Sequence, residues 1–152
     1  MRRGGLLIEL SVVMVVLGLA VGLLTPLEIH MQRAGEAMKA QARCAAAARE
    51  AAAQIRRDVQ EASAASVSAE RLALRLAGGS ITYEREAHGW VRRSSRASEP
   101  PVWLRDEVRS IRFRREGRAV CAAITCESAA GSRYGRPIRL EVLALPRNGG
   151  AR

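Results

Sequence analysis

Three hydrophobic patterns succeed one another along this chain. From Leu6 to Leu24 the residues are apolar almost without a break, and only Glu9 and Ser11 interrupt them. As a helix that run is about 28 Å long, close to the roughly 30 Å hydrocarbon core of a bilayer. Thr25-Pro26 follows. Proline lacks a backbone donor and crowds the turn before it, which predicts a bend or a loosening there.

Beyond Pro26 the period becomes helical. Small or apolar side chains recur at Leu27, Met31, Ala34, Met38, Ala45, Ala48, Ala52, Ile55, Val59 and Ala62, with Gln41 breaking an alternation of fours and threes. Such spacing gives a helix one buried seam. Arg43, Arg49, Glu50, Arg56, Arg57, Asp58 and Glu61 fall off the seam, which predicts a solvent side for them. Alanine, glutamate, arginine and glutamine are good helix formers, so propensity and pattern agree. Leu6 to about Ala65 therefore reads as one bent helix roughly 90 Å long. Ile55 and Val59, the bulkiest seam residues, favour packing on a head domain over pairing in a coiled coil.

From Arg71 the period shortens to two. Leu72, Leu74 and Leu76 alternate up to a turn at Ala77-Gly78-Gly79-Ser80, Ile81–Glu86 reads as a second strand, and His88-Gly89 turns the chain into Trp90–Arg93. These are hairpin signals. Ser94–Pro101 reads as a loop. Val108–Arg115 sets Ile111 and Phe113 among arginines, Glu116-Gly117 turns into Arg118–Cys126, and Ser128–Pro137 is a polar loop. The last strand, Ile138–Leu145, puts Ile138, Leu140, Val142 and Ala144 on one face.

A long helix followed by consecutive antiparallel strands predicts an α+β fold with the sheet laid on the helix. The expected divisions are a leader at 1–4, a membrane helix at 5–25, an amphipathic helix at 26–66 entering the head, an antiparallel β head at 67–146 and a tail at 147–152. At 152 residues, that leaves room for one modest head. Its few aromatics, Trp90, Trp103, Tyr83, Tyr134 and Phe113, leave most of the core to Leu, Val, Ile and Ala.

The formal net charge is +10, and Lys39 is the only lysine beside the arginines. Basic surfaces attract nucleic acid and anionic lipid. Here the arginines are spread along helix and strands among acids, which favours a solvated surface over a nucleic-acid groove. Arg2 and Arg3, standing before the apolar run, favour a cytoplasmic amino terminus. The rest of the chain would then face an oxidising compartment with Cys44, Cys121 and Cys126. Cys121 and Cys126 are five apart, on opposite faces of a continuous strand, with no turn former between them. Free thiols and one bridge involving Cys44 both remain open.

The sequence shows no catalytic constellation. It contains neither a Walker loop nor a dinucleotide fingerprint. Glu84 and Glu86 alternate with Arg85, as on an exposed strand face. His88 precedes a turn glycine, and with His30 the only other histidine no zinc set is expected. Ser128–Pro137 lacks the clustered acids that calcium requires. The expectation is a protein that is not an enzyme and carries neither cofactor nor metal.

The acid inside the apolar run carries more information. A carboxylate in a membrane is costly and ordinarily has a partner. Gly4-Gly5-Leu6-Leu7-Ile8-Glu9-Leu10 resembles the class III signal of type IV prepilins and of the minor pseudopilins of type II secretion. In that signal a glycine precedes the cut and a glutamate is the fifth residue of the mature chain. The resemblance implies cleavage between Gly4 and Gly5 and N-methylation of Gly5 by a prepilin peptidase/methylase. It also implies pairing of Glu9 with the terminal amine of a neighbouring subunit. Pro26 stands where many members carry a helix-bending proline. Gly5 departs from the phenylalanine or methionine that usually opens the mature chain. Gly18 and Gly22 form a GxxxG element, which lets membrane helices approach closely. Implied partners are sister pilin or pseudopilin subunits, inner-membrane lipid and a secretion or pilus assembly platform, with the head periplasmic and nucleic acid a secondary expectation.

Three other readings compete. A plain single-pass anchor has no need of Gly4-Gly5 or Glu9. A secretory signal cut at Ala20-Val21-Gly22 would release a soluble periplasmic binding module starting at Leu23. A DNA-uptake pilin would use the arginines of the head.

Overall fold

The computed structural model describes residues 3–96, 99–128 and 136–146, with side chains from Glu9 onward. Met1, Arg2, the tail at 147–152 and most of the Ser128–Pro137 loop lie outside the described residues. Helix α1 runs Arg3–Glu61 and contains Pro26 without interruption. The chain divides into two compact units, Met1–Met38 and Lys39–Arg152.

In the first unit every large apolar side chain from Leu10 to Leu24 is exposed. Directly before Pro26 the Thr25 hydroxyl donates to the Val21 carbonyl, one turn back, at 2.7 Å. Leu27, Met31 and Met38, the first part of the expected seam, are exposed as well.

The second unit is the head. It carries the last turns of α1 and strands β1 (Ala64–Ser68), β2 (Arg71–Leu76), β3 (Gly79–Glu86), β4 (Gly89–Ser94), β5 (Val102–Trp103), β6 (Val108–Glu116), β7 (Ala119–Cys126) and β8 (Ile138–Ala144). Antiparallel pairing joins β1 to β5 in chain order in one sheet and β6, β7 and β8 in a second. The α+β layout expected from the sequence is present, but with two sheets where a single small one was expected. Two-residue turns link β2 to β3, β3 to β4 and β6 to β7, each where a glycine had marked a turn. Gly117 shows why: its φ of +59° is a left-handed conformation that costs other residues more.

Both sheets turn their alternating apolar faces to the helix. Leu72, Leu74, Ile81, Tyr83 and Trp90 come from the first, and Ile111, Phe113, Val120, Ile124 and Val142 from the second. Phe113 holds the two together. Its ring meets Trp90 edge-on, with centroids 5.9 Å apart, and Tyr83 at 6.4 Å. Its amide also donates to the Ala69 carbonyl in the β1–β2 turn at 3.1 Å. β8 lies outermost in its sheet between Pro137 and Pro146, and carries an Arg139–Glu141 ion pair at 3.1 Å.

Three expectations need correction. The helix does not reach Ala65, because Ser63 turns away, its amide and hydroxyl both donating to the Arg75 carbonyl. Ala64–Ser68 then pairs with β2. Helix propensity in this alanine-rich segment yields to the hydrogen bonds of an edge strand. The buried stripe of α1 is also wider than a seam. Cys44, Ala47, Ala48, Ala51, Ala52, Ile55, Asp58, Val59 and Ala62 are buried, whereas Ala45 is only half-buried. A helix facing a sheet covers i, i+3 and i+4 positions together, where a coiled coil covers a narrow line. Finally, Asp58 is not on the solvent side.

Candidate functional site

The residues singled out by the sequence lie in the first unit. Gly4 and Gly5 fall in the first turn of α1, and Glu9 follows as an exposed side chain. Among the described residues Glu9 has neither an ion pair nor a hydrogen bond. It is a carboxylate on an otherwise apolar helix surface, available to a cation from outside the chain. Gly18 and Gly22 share a face one turn apart. A Cβ built on either meets nothing within 4 Å, so they form a shallow open notch among exposed valines and leucines. By length and composition this helix is able to cross a membrane: its most apolar 18-residue window averages 2.4 in hydropathy and none of it is buried.

The head contains a polar cluster that sequence reasoning missed. Asp58, on α1, is 2% exposed. Its Oδ2 accepts from the Tyr83 hydroxyl of β3 at 2.5 Å and from Arg92 Nε of β4 at 2.7 Å, while Arg92 Nη2 reaches Oδ1 at 3.3 Å. Arg92 Nη1 lies 3.8 Å from Glu99. The two-pronged contact is the strong form of an arginine–carboxylate pair. Burial, and then the Asp58 carboxylate, push the Tyr83 hydroxyl far above its ordinary pKa, so it remains a donor. The hydrogen bond to Asp58 likewise raises Arg92. The Asp58 carboxylate and the Arg92 guanidinium satisfy each other, and the cluster ties the helix to the first sheet. A signal for it did exist: Asp58 continues the fours and threes of Cys44, Ala48, Ala51 and Ile55.

The other candidates occupy ordinary places. Glu84 and Glu86 line the outer face of the first sheet, where Arg93 pairs with both and Arg71 lies 3.7 Å from Glu84. His88 rests edge-on against Trp103, with centroids 6.2 Å apart. Cys44, Cys121 and Cys126 are free and buried. Among the described residues no three His, Cys, Asp or Glu side chains gather as metal ligands would. The Trp90 Nε1–H is buried and finds no acceptor among the described residues.

Comparison with family models, with curated proteins and with solved structures returned no match for this chain.

Proposed function

We propose that this protein is a prepilin-like structural subunit, a minor pseudopilin in type, held in the inner membrane by α1 and assembled through it into a filament. The observation that carries the reading is Glu9, the one exposed carboxylate within the apolar run from Leu6 to Leu24 of α1, five residues beyond Gly4. An apolar surface of that extent needs lipid or other helices around it. A lone acid upon it needs a cation, and the amine of a sister subunit freed by cleavage after Gly4 would be one. The open notch at Gly18 and Gly22 suits close helix approach in such an assembly.

In this reading a prepilin peptidase/methylase cuts between Gly4 and Gly5 and methylates the new amine. Insertion leaves the amino terminus cytoplasmic and the head periplasmic. Assembly on a secretion or pilus platform then exchanges lipid around α1 for sister helices, with Glu9 setting the register. The head contributes contacts rather than catalysis.

Mass spectrometry of the mature amino terminus tests this. A chain beginning at methylated Gly5 supports it. A chain retaining Met1, or one beginning at Leu23 and recovered from the periplasm, defeats it.

A further inference from the structure

We propose that Cys44 and Cys126 form a disulfide that joins helix α1 to the second sheet of the head. Strand parity selects the pair. Along β7 the side chains of Val120, Ala122, Ile124 and Cys126 belong to the core under the helix, and Cys121 falls on the opposite face. On α1, Cys44 is the first buried residue of the stripe facing that core.

Two contacts fix how far along the helix each strand is met. Asp58 sits over β3 and β4 through Tyr83 and Arg92. Glu50 pairs with Arg105, just before β6, at 2.8 Å. Cys44 lies about 9 Å further along the axis. Past Arg105 the chain turns, the Val108 amide donating to the Arg105 carbonyl at 2.9 Å, and Val108 then pairs with Cys126. The Glu127 amide closes the same corner on the Glu107 carbonyl at 2.9 Å. Cys44, Val108 and Cys126 all belong to the one buried core cluster between helix and sheets, and we infer that Cys44 faces the corner that holds Cys126. The electrostatics agree: after burial, Glu107 and Glu127 raise the Cys44 thiol, and Cys44 and Glu107 raise that of Cys126.

Both thiols are free in this structure. Bridging requires Cα atoms about 4.4 to 6.8 Å apart. The neighbouring Ala47, Ala48 and Ala51 present almost no side chain to hold helix and sheet apart. The oxidant is a disulfide of the thiol-oxidoreductase class, which the head would meet on the periplasmic side; for that the inference rests on the proposed function. The Cys44 thiolate attacks the oxidant's disulfide and expels one thiolate. Cys126 then attacks the mixed disulfide, expelling the second. Two protein thiols lose two protons and two electrons, and the oxidant leaves as a dithiol.

The test uses the full chain in detergent, refolded from denaturant into oxidised and reduced glutathione, blocked with N-ethylmaleimide and mapped by non-reducing peptide mass spectrometry. The expected product is one linked pair of peptides, from Cys44 and Cys126, with Cys121 alkylated. Cys121→Ser should keep the link and Cys44→Ser should abolish it. Alkylation of both Cys44 and Cys126, or a link to Cys121, overturns the inference. Mapping protein trapped directly from cells separates the two readings. A link formed on refolding and absent in cells upholds the pair and counts against the periplasmic head, whereas a link in both supports the two together.

Discussion

Asp58 and Arg92 are 34 positions apart in the chain, yet the Arg92 guanidinium grips the Asp58 carboxylate through two nitrogens in the interior of the head. Charges so placed weigh more when broken than when made. Removing one partner strands the other away from water, at a cost of about 3 to 5 kcal/mol. Asp58→Ala should therefore lower the stability of the head by about that amount, read as the midpoint of denaturant unfolding of the full chain in detergent. Exchanging Asp58 and Arg92 together for leucines should recover much of the loss. If Asp58→Ala unfolds at the wild-type midpoint, the grip does not hold the head together.

The same cluster sets a response to alkali. The native state holds the Tyr83 proton more tightly than the unfolded chain does. Its stability contribution is therefore complete below about pH 10 and is lost as pH rises beyond that. In the reduced protein Cys126 acts alongside, burial and then Cys44 and Glu107 pushing its thiol from 9.0 up to about 11. Its contribution fades between those two values. Unfolding midpoints should stay level up to pH 9 and then fall. Cys126→Ala should flatten the first part of the fall and Tyr83→Phe the later part.

Phe113 supplies a second means of weakening the head. Its ring lies against both Tyr83 and Trp90. Phe113→Ala should cost about 3 to 5 kcal/mol through lost burial and the cavity left behind. Calorimetry should show one cooperative transition at a lower temperature. Two separate transitions would mean that the sheets do not depend on each other.

Glu9→Ala tests the apolar first part of α1. Removing a carboxylate from an apolar helix should leave insertion intact or favour it slightly. If the chain is the filament subunit proposed, its incorporation should drop sharply, as measured by shearing and sedimentation. Normal incorporation would contradict a pairing role for Glu9.

Gly18→Leu with Gly22→Leu probes the notch. Both positions open onto empty space in the single chain, so the variant should insert and fold as before. Crosslinking between copies should fall several-fold if helices meet there, and stay unchanged if they do not.

The strands were legible because their alternation is strict. Ile111 and Phe113 between arginines, or Leu72 and Leu74 beside Ala73 and Arg75, admit one inward face. Glycine located three of the turns. β1 was not legible: Ala64-Ala65-Ser66-Val67-Ser68 carries helix-compatible residues and a turn, Ala69-Glu70, without glycine, and only its partner strand makes it extended. β5 was hidden by its brevity and by the prolines before it. Asp58 was misplaced because polarity outweighed periodicity in reading the helix; its partners arrive from strands distant in sequence. The glycines and Glu9 were conspicuous for the opposite reason, since they interrupt a run whose other side chains, Ser11 aside, are oil-like.

The hydrogen bond from Phe113 to Ala69 ties one margin of the second sheet to the β1–β2 turn, and β8 on the other margin is bounded by two prolines and bears an internally matched charge pair. Neither border invites an additional strand from another molecule. Edge-to-edge pairing is thereby left to β1 and β5, the borders of the first sheet. In the proposed filament, contacts between copies would then fall first to the apolar stem rather than to the second sheet.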